Sequence, residues 1–324
     1  MGMIIMDAVS KGIGRGDWTL VGGGNNLYTA ENPTQIWTKR TTPFANEIYN
    51  VVYDNGYWVA AGGYYGTGSQ LATAIDSTGT WTLRTTPFGS GNIWGLAYGN
   101  GYWVAGTDDN KLATATNPTG TWTLRTSPFP GALYIFYDIA YGNGYFVAAA
   151  GDAAGGASTY KLATATDPTG TWTLRNSASS AGLYGIAYGD GKWVAVGGAG
   201  KIITATDPTG TWTLRTPPAG WSPNTSIHGV AYGNGYWVIV GKDAYGSFAA
   251  RLATATDPTG TWTERSSGFG TDRIYNVAYG SDGYWVIVGR NGKVATATDP
   301  TGTWTLNPSI PPSWGYIYAV AHKG

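Results

Sequence analysis

Short apolar runs rich in Val, Ile, Ala and aromatic residues alternate along the chain with clusters of Gly, Asn, Asp, Pro and Thr, and little of the sequence keeps a helical period. Branched and aromatic residues set between turn signals predict many short strands. Four kinds of run recur in one order. Strand A reads IYNVAYG (274–280), strand B YWVIVG (236–241), strand C KLATATD (161–167) and strand D TWTLRT (211–216). Strand B is apolar on both faces, as an interior strand between packed layers is. Strand D alternates Trp and Leu with Thr and Arg, which suits an outer edge whose unpaired backbone faces water.

The Trp of strand D counts the copies. Trp37, Trp81, Trp122, Trp172, Trp212, Trp262 and Trp304 follow one another at spacings of 44, 41, 50, 40, 50 and 42 residues. That period belongs to four-stranded propeller blades. The first copy, DWTLVGGGNNLYTAENPTQIW (17–37), has strands B to D and no strand A; the chain ends in YIYAVAHKG (316–324), a strand A with no strand B after it. The expected fold is therefore all-β, a seven-bladed β-propeller of four-stranded antiparallel blades over residues 16–324, with 316–324 closing the first blade. An open solenoid and a β-sandwich are the alternatives; complementary half-blades at the two ends favour the closed ring, because a solenoid wants polar caps. Residues 1–15 fall outside the repeat and are either a docking or oligomer contact or a frayed tail.

Composition narrows the chemistry. Of 324 residues 51 are Gly, 16 Trp and 23 Tyr, only 12% are charged, and the formal net charge is zero. Without a basic run there is nothing to track phosphates, so no nucleic acid is expected. The absence of cysteine excludes thiolate chemistry and Cys-based zinc, and with only His228 and His322 a histidine metal site is not expected either, nor any cofactor. The opening MGMIIMDAVSKGIGR lacks the basic start and long apolar core of a signal peptide, and no run is long enough to span a bilayer. The expected protein is soluble, made in the cytoplasm, and reaches a virion or the outside only by assembly or release.

The repeated TDPTGTW (206–212) resembles the Asp-box, the S-x-D-x-G-x-x-W turn of sialidase-type (BNR) propellers, and the whole unit is similar to propeller repeats of bacteria and their phages. The Asp-to-Trp spacing agrees, but Gly210 stands three residues after Asp207 rather than two, and Ala205 replaces the Ser. The seven turn positions are Asn32, Asp76, Asn117, Asp167, Asp207, Asp257 and Asp299. Their residue types predict structural turns: Asp accepts backbone N–H groups, Pro fixes φ, and Gly supplies a conformation other residues avoid. The family includes enzymes, lectins and assembly factors, so the resemblance alone does not choose an activity. Sialidase chemistry needs a Tyr nucleophile, its carboxylate and an arginine cluster. Here Arg40, Arg84, Arg125, Arg175, Arg215 and Arg265 repeat in strand D, on the rim, and only Arg15, Arg251, Arg273 and Arg290 lie elsewhere. Of three glutamates, Glu31, Glu47 and Glu264, only Glu47 has an unusual setting. No catalytic residue is expected. TDDNK (107–111) reads as a solvated turn rather than a calcium loop, which wants more oxygen ligands.

Four antiparallel strands send loops A–B and C–D to one face and loops B–C and D–A to the other. The first pair is nearly constant; nearly all length variation falls in the second. Binding residues concentrate on loops carried by a rigid scaffold. Thirteen tryptophans recur in strands B and D and are expected in the core. The aromatics outside that pattern near the varied face are the candidate ligand-binding residues: Tyr64, Tyr65, Trp94, Tyr160, Trp221, Tyr245, Phe248 and Trp314. Packing among long loops is their other reading. A second set, Tyr49, Trp94, Tyr137, Tyr184, His228, Tyr275 and Tyr318, recurs in strand A and belongs around the central tunnel or between blades. The expected function is non-catalytic recognition, the varied face being offered to a surface glycan or a protein, as a virion or tail component or an adhesin. A stand-alone multivalent lectin and a glycosidase or lyase are the alternatives.

Overall fold

A computed structural model describes residues 18–64, 68–129, 134–152, 162–221, 223–243, 249–308 and 315–324. These residues form seven four-stranded antiparallel sheets. Strand A of the successive blades, beginning with the second, is Ile48–Asp54, Ile93–Gly99, Tyr134–Gly142, Leu183–Gly189, Thr225–Gly233 and Ile274–Tyr279, and the last strand, Ile317–His322, serves the first blade. Each strand A lies beside the next, and Ile317–His322 lies between Ile274–Tyr279 and Ile48–Asp54, so the innermost strands make a closed circle. The closing strand pairs with Trp18–Gly22 in the register Trp18 to His322 and Leu20 to Val320. The ring is thus a seven-bladed propeller shut by its own C-terminus.

The core is divided among the gaps between blades. Strand B shows why: Trp58 and Ala60 pack toward the first blade while Val59 and Ala61 pack toward the third. Each of the seven apolar clusters joins residues of two neighbouring blades, the seam cluster combining Trp18 and Trp37 with Val286, Val288 and Val294. All thirteen repeat tryptophans and Phe146 are buried. The recurrent Tyr-Gly that ends strand A has a packing cause. A Cβ at Gly99, Gly142, Gly189 or Gly233 would stand 2.0–2.4 Å from the ring of Tyr141, Tyr188, Tyr232 or Tyr279 in the next blade. The glycine is a seat for that ring.

The turns of the constant face use their residues locally. At the A–B turns Asn100 and Gly101 take φ of 46° and 81°, the left-handed pair that two-residue hairpins require. At the C–D turns the side-chain oxygen of Asp207 accepts both the backbone N–H and the hydroxyl of Thr209, at 2.8 and 2.7 Å, and Trp212 Nε1 donates to the Pro208 carbonyl at 3.2 Å. The same bonds recur at Asn32, Asp76, Asn117, Asp167, Asp257 and Asp299. The turn glycine departs from expectation. Gly210 has no left-handed φ, an added Cβ would meet Asp207 O at an ordinary 3.5 Å, and Gln35 fills the place in the first blade. Strand D also differs: it is two or three residues long, and its leucines, such as Leu83 and Leu124, are 43% and 48% exposed.

The rim arginines bond to strand C of their own blade, and Arg175 also bridges to the next. Arg175 Nε donates to Thr164 of its own strand C at 2.8 Å, and Nη1 reaches the Thr209 carbonyl of the next blade at 3.3 Å. At the seam this residue is Asn307, whose amide donates to the carbonyls of Pro33 and Gln35 in the first blade at 3.1 and 2.7 Å. Trp18 Nε1 adds a bond to Asp282 at 2.8 Å.

Deleting Tyr316–Gly324 removes the inner strand of the first blade and opens two inter-blade cores. The truncated chain should lose its cooperative thermal transition or aggregate; melting identical to the full chain would refute closure by this strand.

Candidate functional site

Strand A carries one extra residue at the same place in every blade. The ladder shifts between Ile48 and Asn50, Ile93 and Gly95, Phe136 and Asp138, Leu183 and Gly185, Ile227 and Gly229, and Ile274 and Asn276, and again opposite Val21 and Gly22. The skipped residues are Tyr49, Trp94, Tyr137, Tyr184, His228, Tyr275 and Tyr318. A β-bulge re-aims the side chain it carries, and here it turns one aromatic per blade into the central channel. Close backbone contact holds the bulge. At Gly22, Gly62, Gly197, Gly241 and Gly289 an added Cβ would come within 1.7–2.1 Å of the carbonyl oxygen two residues before the aromatic.

These seven side chains touch in sequence around the channel. Tyr49 stacks on Trp94 at 4.3 Å and 9°, Tyr184 stacks on His228 at 5.5 Å and 16°, and Tyr318 closes the circuit at 5.2 Å from Tyr49 and 5.3 Å from Tyr275. Trp94–Tyr137, Tyr137–Tyr184 and His228–Tyr275 complete it. The ring sits near the start of strand A, so it rims the channel at the varied face. His228 is its one non-phenolic, non-indole member. Burial, helped by Arg273 and Lys242, pushes its pKa down to about 3, so it is neutral and serves as an aromatic.

Around this ring lies a collar of paired positions: the residue two before each aromatic, and the residue at or just past the end of strand B that pairs with it. Gly63 N–H donates to the Glu47 carbonyl, Asp108 N–H to Asn92, Arg290 N–H to Arg273 and Gly23 N–H to Tyr316, at 2.9–3.1 Å. Ser226 faces Lys242 in the same way. The backbone bond thus sets Arg273 and Arg290 side by side. Arg273 lies 5.5 Å from the Tyr275 ring centroid and Arg290 6.0 Å from that of Tyr316. Neither arginine makes an ion pair with a carboxylate among the described residues. Burial and these two arginines hold the Lys242 ammonium below its usual pKa. On the second and third blades the charges are Glu47 and Asp108. The phenol of Tyr49 is raised to about 12 by burial, with Glu47 and Asp108 adding to it.

The candidate residues separate sharply. Tyr64 is 52% exposed at the end of strand B in the second blade. Trp94 is a half-buried ring member. Trp221 does not offer a face: it is 7% exposed and packs with Val194, Ile227 and Trp237. It occupies the inter-blade place filled elsewhere by Phe44, Phe88, Phe129 and Phe269, so the D–A loop sends an aromatic inward there too. Tyr65, Tyr160, Tyr245, Phe248, Trp314 and the segment 1–15 lie outside the described residues. The sequence reading missed the collar, including Tyr316, which is 41% exposed and stacks on Tyr318 at 5.9 Å. The available signal was that Arg273 and Arg290 break the rim pattern. The acids of TDDNK have partners within the blade: Asp108 accepts from Asn92 N and Nδ2, and Asp109 from Thr107 and Lys111. Open grooves also run along the rim, one of about 420 Å³ beside Arg84 and Thr119. Repeat threonines and that rim arginine line it, and it lies away from both the ring and the collar.

The chain is similar in fold to solved propellers. The structure of YCF48 bound to D1 peptide matches with a TM-score of 0.64 and 14% identity, over 85% of each chain. YCF48 from Cyanidioschyzon merolae gives 0.61 and 12%, over 85% of this chain and 88% of that one. The computationally designed Ika8 protein gives 0.56 and 12%, over 90% and 89%. No family model and no curated protein matches.

Just inside the ring, Asp138 accepts Ile139 N–H at 2.8 Å and, across the blade gap, Ile186 N–H at 2.9 Å. Burial outweighs these bonds and raises its pKa to about 7. The folded state therefore holds this proton more tightly than the unfolded chain, and stability falls as pH rises from about 4 to about 7. Whatever its offset, the stability of Asp138→Asn relative to the parent should improve by roughly 2–4 kcal/mol between pH 4 and pH 8 in urea unfolding. A difference independent of pH would show that this carboxyl is not the group responsible.

Proposed function

We propose that this propeller is a non-catalytic recognition module that binds an extended segment of another protein at the channel mouth on the varied face. The observation that carries this is the closed aromatic ring. Seven bulges aim side chains into an opening where burying them in the protein core would need no bulge. Aromatic residues beside cations make strong contact points because they bury area at little conformational cost. The similarity in fold to YCF48 bound to D1 peptide supports a protein segment as the ligand. A surface glycan is the second reading, favoured by the exposed ring of Tyr64. A place on a virion, a phage tail or a bacterial surface draws on the resemblance of the repeat to propeller repeats of bacteria and their phages and on the lack of cysteine. Catalysis is the weaker reading: Glu47 and Asp108 lie in the collar of the second and third blades, where Asp108 is held by Asn92, and Asp138 is committed to the backbone N–H groups of Ile139 and Ile186.

Peptides selected from a random display library on the immobilised protein should lose at least tenfold in affinity to Tyr64→Ala, Trp94→Ala and Tyr316→Ala, and be indifferent to Tyr284→Ala, whose residue lies by the constant face. Tyr64 and Tyr316 are exposed, so these two variants should keep the parent melting temperature. Selected peptides that ignore all three changes would remove the mouth as the site, and sugar binding on a glycan array lost in the same variants would replace the protein reading with the glycan one.

A further inference from the structure

The collar is not only charged but polarised. It is built from equivalent backbone positions in each blade, so its side chains can be compared around the circle. The seventh blade supplies Arg273 and Arg290 and the sixth supplies Lys242; the second supplies Glu47 and the third Asp108. The first blade lies between these halves and supplies Tyr316, stacked on the ring. At the fifth blade the equivalent positions are Gly182 and Gly198, joined by the same bond at 2.9 Å and without charge. Nearby charges do not cancel the contrast. Asp272 pairs with Lys293, Asp243 with Arg251, and Asp109 with Lys111.

We propose that the channel mouth recognises a dipolar segment of a partner protein, lying across Tyr316 with an acidic block over the sixth and seventh blades and a basic block over the second and third. This deepens the reading of the mouth as a peptide site and rests on it. Two arginines with no carboxylate partner among the described residues make charge-assisted, paired contacts to carboxylates. Glu47 and Asp108 repel a segment that is acidic throughout, as the arginines repel one that is basic throughout. Polarity of this kind sets register and excludes wrong partners more than it adds affinity. The aromatic stack between the halves gives the segment an apolar footing where its charge changes sign.

Three labelled peptides with one Gly-Tyr-Gly spacer test this by fluorescence anisotropy. One carries four Glu before the spacer and four Lys after it, the second has the same composition with Glu and Lys alternating, and the third has eight Glu. At low ionic strength the block peptide should bind at least tenfold more tightly than the alternating one, and the gap should close at high salt. Arg273→Glu with Arg290→Glu should abolish the preference. So should the gentler Lys242→Gln with Arg290→Gln, which leaves Arg273 on Tyr275, and Glu47→Lys should make the all-Glu peptide the best ligand. Equal binding of block and alternating peptides, all-Glu binding as tight as block binding to the unaltered protein, or no binding of the block peptide would each overturn the proposal. Library-selected peptides that still need Trp94 and Tyr316 would then leave the mouth as a peptide site whose polarity is not read.

Discussion

Every part of this molecule depends on one constraint: a blade has two apolar faces and can bury neither alone. Strand B alternates Val, Ala, Ile and Trp so that successive residues pack on opposite neighbours. Burying such side chains stabilises by roughly 1.5–3 kcal/mol each, but only if both neighbours are present. A linear stack would leave two faces wet, whereas a closed ring leaves none. This makes the pairing of Ile317–His322 with Trp18–Gly22 a condition of the fold rather than a finishing detail. It also divides the labour within a repeat. Residues facing the gaps must be interchangeable, because each meets a partner made by the next copy.

The channel mouth follows from the same geometry. Strand A is innermost, and seven of them converge where little room exists. A bulge in each strand lets the aromatic leave the sheet's two packed faces and point to the axis, with a glycine opposite in five blades to admit the displaced carbonyl. The bulge bond then fixes two further backbone positions beside each aromatic. One device repeated around the circle therefore makes a regular floor and a collar whose chemistry can change without touching the core. Arg273 and Arg290 are adjacent because of a backbone bond, not because they attract one another.

Blade number, strand order, closure and the buried tryptophans were legible in the sequence because they are periodic, and a period survives without knowledge of any contact. The aromatic positions of strand A were legible as a set, but whether they faced the axis or the blade gaps was not, since a bulge leaves no gap in the text. The packing role of Trp221 was hidden for a related reason. Loop length shifts it two residues from the place of Phe44 and Phe88 relative to strand D, hiding that it plays their part. Residue type suggests a special conformation for the turn glycines, while the hydrogen bonds of Asp and Thr suffice to make those turns. The collar was least visible. Glu47, Asp108, Lys242, Arg273 and Arg290 belong together only through the register of strands far apart in sequence.

The seam at Asn307 has a consequence for how such a chain keeps its size. Elsewhere the strand D residue at the joint is an arginine, facing a turn that carries an acid at every place but Asn117, a coupling that any copy of the unit could complete with any other. Asn307 instead grips the Pro33 and Gln35 carbonyls, and the turn it meets carries Asn32. The two ends are thus a lock and key of their own within a set of interchangeable couplings. A nascent chain in which all joints were alike could close early, skip a unit or join a second chain at many equivalent places. A single joint of different chemistry marks where the count begins and ends.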